Sequence, residues 1–138
     1  MDTNYWAVLI SSVFAIVLGA IWYGPLFGKK WLEVTGMDKV DMARRQEMMK
    51  NVWKLYITQF LLCLFQVLVL AHLINDTVKV SGLERSLWIW AAFIMPMIAS
   101  GAMWNNDSAR VSWARFLIQA GYQLVCFVVF GLILGLWR

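Results

Sequence analysis

Residues 5–24 read YWAVLISSVFAIVLGAIWYG, twenty positions without a charged side chain, opened by Tyr5-Trp6 and closed by Trp22-Tyr23-Gly24. A helix rises about 1.5 Å per residue, so this run matches the roughly 30 Å thickness of a bilayer's hydrocarbon core. In that medium every backbone N–H and C=O must be satisfied internally, so an apolar run of this length predicts a helix. The rings at its two ends suit the headgroup zone, because an indole or phenol joins an apolar body to a polar edge. Three further stretches repeat the pattern, Val52–Ile74, Leu87–Trp104 and Ala114–Trp137, with charge confined to their edges. All nine tryptophans (Trp6, Trp22, Trp31, Trp53, Trp88, Trp90, Trp104, Trp113, Trp137) are read as standing near the ends of these spans or just outside them.

The predicted fold is all-α: a polytopic membrane protein with four transmembrane helices in a single domain, residues 1–138. With 62% hydrophobic and 14% charged residues and a mean hydropathy of +0.66, the chain is too apolar for an ordinary soluble domain. The first span is read as a retained helix and not a secretion signal, since Asp2 occupies the usual basic region and no small-residue cleavage pattern follows Trp22. Cys63 and Cys126 lie mid-span, where they are expected to behave as small apolar side chains without forming a disulfide or a metal site.

Lys29, Lys30, Lys39, Arg44, Arg45, Lys50 and Lys54 in or beside the first loop, with Arg110 and Arg115 beside the third, outnumber Lys79, Arg85 and Arg138 on the opposite side. The excess of Lys and Arg predicts loops one and three in the cytoplasm and both termini outside, in a cell (inner) membrane. The same basic residues are interleaved with Glu33, Asp38, Asp41 and Glu47, so nucleic acid is not the expected partner.

Between the first two spans, Gly24-Pro25 is expected to stop the first helix. Lys29, Lys30 and Trp31 should then lie at the headgroups. From Asp38 onward a short cytoplasmic amphipathic helix is expected, with Asp41 and Arg45, and Glu47 and Lys50, at pairing distance along its face and Val40, Met42, Ala43, Met48 and Met49 on its apolar side. Ser81-Gly82-Leu83-Glu84 matches a capping box, placing the start of the third helix near Gly82. Pro96 predicts a kink over Ala92 to Pro96. Asn105 to Ser108 is expected to end that helix.

Small residues mark where helices can approach closely: Ser11, Ala15 and Gly19 on the first span, Gly131 and Gly135 on the fourth. Such faces serve either the fold of one subunit or contacts between subunits. A weak echo relates Gly19-Ala20-Ile21-Trp22 to Gly101-Ala102-Met103-Trp104, consistent with a duplicated helical hairpin.

The polar groups inside the spans form two stripes. Gln59, Cys63 and Gln66 share one helical face, and so do Gln119, Gln123 and Cys126 with Tyr122 beside them. Buried amides need partners, so these faces are expected to turn toward each other, either as structural glue or as the lining of a hydrated path or small-ligand site. His72, the only histidine, is read as an interface residue. The spans carry no carboxylate, and no nucleophile stands beside a candidate base, so neither a proton-coupled carrier nor an enzyme is expected, and no cofactor or metal motif is present.

Leu18-Gly19-Ala20-Ile21-Trp22-Tyr23-Gly24-Pro25-Leu26-Phe27-Gly28-Lys29-Lys30-Trp31, followed by Leu32-Glu33-Val34-Thr35-Gly36, resembles the first-helix signature of a family of small, mainly bacterial four-helix membrane proteins catalogued as a domain of unknown function. Ala120-Gly121-Tyr122-Gln123-Leu124-Val125 and Gly131 to Trp137 resemble its last helix, with Gln123 where the family pattern has an aromatic. The resemblance implies fold and membrane residence, marks Trp22, Tyr23, Pro25, Lys29, Lys30 and Trp31 as motif residues at the interface, and brings no activity. The expected role is structural or accessory in a membrane assembly, with the lipid bilayer and either further copies of the chain or other membrane proteins as partners. The alternative is an oligomeric channel or small-solute permeation unit lined by the Gln, Tyr and Cys faces of the second and fourth spans.

Overall fold

A computed structural model describes residues 3–76 and 79–137; Asp2 and Arg138, which entered the signal and charge arguments, lie outside them. Six helices follow one another: α1 (Tyr5–Leu26), α2 (Gly28–Thr35), α3 (Met42–Met49), α4 (Val52–Asn75), α5 (Gly82–Met103) and α6 (Ala109–Leu136). Four of them, α1, α4, α5 and α6, are long and apolar enough to cross a membrane, and the chain is a multi-pass membrane protein. No strand occurs among the described residues.

Local chemistry sets the boundaries. The Asn4 side chain accepts from the Trp6 and Ala7 amides to start α1. Asp41 caps α3 through the Arg44 amide, Ser81 caps α5 through the Glu84 amide, and Ser108 caps α6 through the Val111 amide. The Asn105 amide closes the end of α5 on the Gly101 carbonyl at 2.8 Å. Asp41 caps the helix through one carboxylate oxygen, and the expected pairing with Arg45 is not seen: Arg45 donates to the Val40 carbonyl. Between residues 26 and 52 the chain makes two short helices where one was expected. α2 ends at Gly36, whose φ of 75° lies in the left-handed region open to glycine.

Both prolines act through wider turns. α1 does not stop at Pro25: it continues through a π turn, Trp22–Leu26, in which the Phe27 amide bonds the Trp22 carbonyl at 3.0 Å. In α5 a π turn, Trp90–Ile94, directly precedes Pro96, where the kink was expected. α5 itself starts at Gly82, so Trp90 stands eight residues inside the span and is not an end residue. α6 starts five residues before the expected Ala114, since Ser108 supplies a cap there.

α6 is the centre of the bundle. It packs against α5 and α1, and α1 packs in turn against α4. In their most apolar windows 44% of α6 residues are buried, 28% of α1 and of α4, and only 11% of α5, which places α5 at the edge. The tightest seam joins α5 to α6. A Cβ on Gly82 would come within 2.6 Å of the Gly131 carbonyl and 2.7 Å of Gly135 Cα, so Gly131 and Gly135 are used inside one chain. Ser86, fully buried on this seam, lies 2.8 Å from the Phe127 carbonyl and 3.0 Å from the Leu83 carbonyl, which share its single proton. Ser11 and Ala15 are buried on α1, and Gly19 faces Tyr122.

The Asn4 amide donates to the Trp137 carbonyl at 3.0 Å, which ties both chain ends to one end of the bundle, called here the terminal end. The half nearest to it is packed by Val67, Leu70 and Ile74 of α4 against Phe127, Phe130 and Leu134 of α6, with Ala7 and Val8 of α1. The opposite, basic end carries α2, α3 and the turn between α5 and α6.

Candidate functional site

At the basic end the four spans diverge around a cleft of about 390 Å³. α1 contributes Ile16, Gly19, Ala20 and Tyr23; α4 contributes Tyr56 and Gln59; α5 contributes Ile98; α6 contributes Gln119, Tyr122 and Gln123. Successive positions on α6 reach the cleft because 119, 122 and 123 share one helical face, and Tyr56 precedes Gln59 by three residues on α4. Every polar group on this lining is an uncharged amide or phenol.

One wall is held rigidly. The Tyr122 hydroxyl donates to the Ala15 carbonyl at 2.6 Å, and the Trp22 indole N–H donates to the Ile118 carbonyl at 3.0 Å. Tyr122 packs edge-on to Tyr23 at 5.5 Å between ring centroids and Tyr23 edge-on to Trp31 at 4.8 Å, while Trp22 lies tilted against Phe27 at 4.8 Å. Glycine makes these approaches possible: a Cβ on Gly19 would stand 3.1 Å from the Tyr122 hydroxyl, and one on Gly121 would stand 3.2 Å from the Trp22 ring. The Gly19 to Trp31 block and the Ala120-Gly121-Tyr122 block, far apart in the chain, thus form one aromatic junction. Trp22 faces inward in that junction, whereas Trp6, Trp53, Trp88, Trp104, Trp113 and Trp137 are exposed. Arg115 reinforces the junction from below, bridging Asp107 at 2.9 Å and donating to the Val34 carbonyl of α2 at 3.2 Å.

Gln59, Gln119, Gln123 and Tyr122 therefore converge on the cleft, while the remaining polar positions do not. Cys63 and Cys126 are free thiols buried in the core beyond its floor. Gln66 lies in a separate apolar groove beside Phe65, Val69 and Ile94. The side-chain hydrogen bonds that cross between helices run from Tyr122, Trp22, Ser86, Arg115 and Asn4 to backbone carbonyls, and among the described residues none involves a glutamine. The helices are thus tied through hydroxyl, indole, guanidinium and asparagine donors, and the Gln59, Gln119 and Gln123 amides are left facing the cleft. Lys29 and Lys30 stand at the start of α2, with Lys30 3.6 Å from Glu33. Pro25 lies in the π turn. His72 is exposed near the terminal end, and its Nδ1 donates to the Leu68 carbonyl at 2.8 Å.

Tyr56 on the cleft lining and Arg115 in the bracing of α2 were not marked as site residues by the sequence, whereas Tyr23 was marked only as an interface residue and stands on the cleft wall. The i,i+3 spacing of Tyr56 and Gln59 was a usable signal. Arg115 offered none, because its partners are a loop aspartate and a backbone carbonyl on a helix that the sequence did not announce. Among the described residues no group of three His, Cys, Asp or Glu stands together to hold a metal ion.

A family model described as Protein of unknown function (DUF1761) matches residues 6–135. No curated protein and no solved structure matches the chain.

Proposed function

We propose that this chain, which belongs to the family described as Protein of unknown function (DUF1761), is a non-enzymatic membrane bundle that serves a structural or accessory role in a larger membrane assembly, joined to it through α5. The observation that carries this reading is the contrast between α5 and the other spans: only 11% of its most apolar window is buried, against 28% or more elsewhere. Lipid alone suits an apolar face, but α5 also contains Pro96, which supplies no N–H to the π turn Trp90–Ile94 before it, and a carbonyl left unpaired in hydrocarbon would be costly. A neighbouring helix with a hydroxyl or amide donor relieves that cost. Trp90 on the same element has a buried indole N–H without a partner, but it packs against the core rather than toward a neighbouring helix. The self-associating form of the reading rests on α5 as well, because Gly131 and Gly135 are already occupied by Gly82.

A non-enzymatic role is supported by a cleft whose polar side chains are all amides and phenols. The permeation alternative has the four-span cleft in its favour. Against it, Phe127, Phe130, Val67 and Leu70 are buried side chains in the half toward the terminal end. The Lys and Arg distribution supports placing the basic end in the cytoplasm of a cell (inner) membrane.

Cysteine cross-linking in native membranes tests the assembly. Met97→Cys and Phe93→Cys on the exposed side of α5 should give cross-linked species, either a dimer of this chain or a conjugate with another membrane protein identified by mass. Leu61→Cys on the outer face of α4 serves as the control. Equal or absent cross-linking at all three positions would remove the reading.

A further inference from the structure

The cleft is blind. Its floor meets the apolar core, and the exposed lining residues Ala20, Tyr56 and Gln59 border its mouth, all three on membrane-spanning helices. We propose that it binds a neutral, membrane-partitioning amphiphile whose flat ring carries carbonyl or hydroxyl groups, the Gln59, Gln119 and Gln123 amides holding those groups and the Tyr23, Tyr56 and Tyr122 rings forming the walls.

Three features select this class. First, an anion or cation entering from the headgroup zone would lose hydration without meeting a countercharge, because the lining has none. Second, the three amides are bonded to no protein group among the described residues, and each offers both a donor and an acceptor, matching a ligand with carbonyl or hydroxyl groups. An acyl chain would leave all of those groups unmet. Third, a volume of about 390 Å³ with one rigid aromatic wall fits a single ring system, at the small end of ordinary ligand sites. Tyr122 is fixed by its bond to Ala15, so one wall is preorganised before any ligand arrives, which lowers the ordering cost of binding. The mouth lies on the spans near the basic end, so the ligand would enter from that leaflet with its tail remaining in lipid.

The test uses the full chain in liposomes and radiolabelled decyl-benzoquinone as probe. Saturable binding is expected, displaced by unlabelled probe but not by decyl sulfate, which has the same tail and a charged head. Gln119→Leu should weaken it about tenfold, the scale of one buried hydrogen bond, and Gln59→Leu, at the more solvated mouth, by about threefold. Gln66→Leu, outside the cleft, should leave it unchanged, and Gln59→Asn should restore part of the loss. Gln59 is exposed at the mouth, so its replacement does not endanger the fold. Binding that rises linearly with probe concentration would overturn the proposal. So would equal binding by the cleft variants, displacement by decyl sulfate as strong as by the probe itself, or a phospholipid that native mass spectrometry finds retained while the probe fails to bind.

Discussion

Gly131 shows how much a single residue decides. A Cβ there would overlap Ser86 Oγ and stand 2.7 Å from Leu83 Cα, whereas one on Gly101 would meet nothing within 4 Å. Gly131→Val should therefore destabilise the bundle by at least about 2 kcal/mol, combining overpacking with loss of the Ser86 hydrogen bond. Gly101→Ala should stay within about 0.5 kcal/mol of the parent. Tyr122→Phe, which removes only the bond to Ala15, should cost roughly 0.6 to 1.7 kcal/mol. Unfolding in mild detergent, followed through tryptophan fluorescence, would rank the three, and a Gly131 variant as stable as the Gly101 variant would contradict the packing described here. The sequence marked Ser11, Ala15, Gly19, Gly131 and Gly135 as sites of close approach because small side chains are what such approaches need. It could not name their partners. Gly82 looked like a position after a cap, and its contact with Gly131 and Gly135 arises only when two helices distant in the chain are laid together.

At the scale of elements, the spans were legible because the bilayer imposes a length and an apolar content on any helix that crosses it. Their ends were less so. The start of α6 moved five residues toward the N-terminus because Ser108 caps it, and α1 ran past Pro25 because a π turn accommodates a missing N–H at the cost of a wider winding. α2 was missed although its eight residues are amphipathic: two lysines and a glutamate make the segment look like a loop, and its anchorage, Val34 buried, Trp31 on Tyr23 and Arg115 donating to the Val34 carbonyl, comes from contacts outside the segment. α3 stands apart, with no buried residue and no helix packed extensively against it. Its amides should accordingly exchange with solvent far faster than those of α2, despite equal length, by at least about tenfold, and Arg115→Ala should bring α2 toward the α3 rate. Hydrogen exchange with mass spectrometry on the liposome-embedded protein would check both, and equal protection of α2 and α3 in the parent would contradict the bracing role of Arg115.

For the whole molecule, the basic end and the terminal end differ in charge, polarity and packing. If loops one and three face the cytoplasm, a membrane-impermeant thiol reagent applied to intact cells should label Lys79→Cys and spare Lys50→Cys, with the reverse in inverted vesicles; the opposite pattern would reverse the orientation. The buried native thiols Cys63 and Cys126 leave the background low. What the sequence determined by itself was residence in lipid, the number of spans and the pairing of both termini on one side, because solvent and helix length act on each segment separately. Which helix stands at the centre, which face of α6 meets Gly82, and why three glutamines surround a cleft while Gln66 and both cysteines do not, was decided only by the tertiary structure. Those properties depend on the rotation and depth of one helix against another, and a helix of mostly apolar residues looks alike from many sides until its neighbours' small residues choose one.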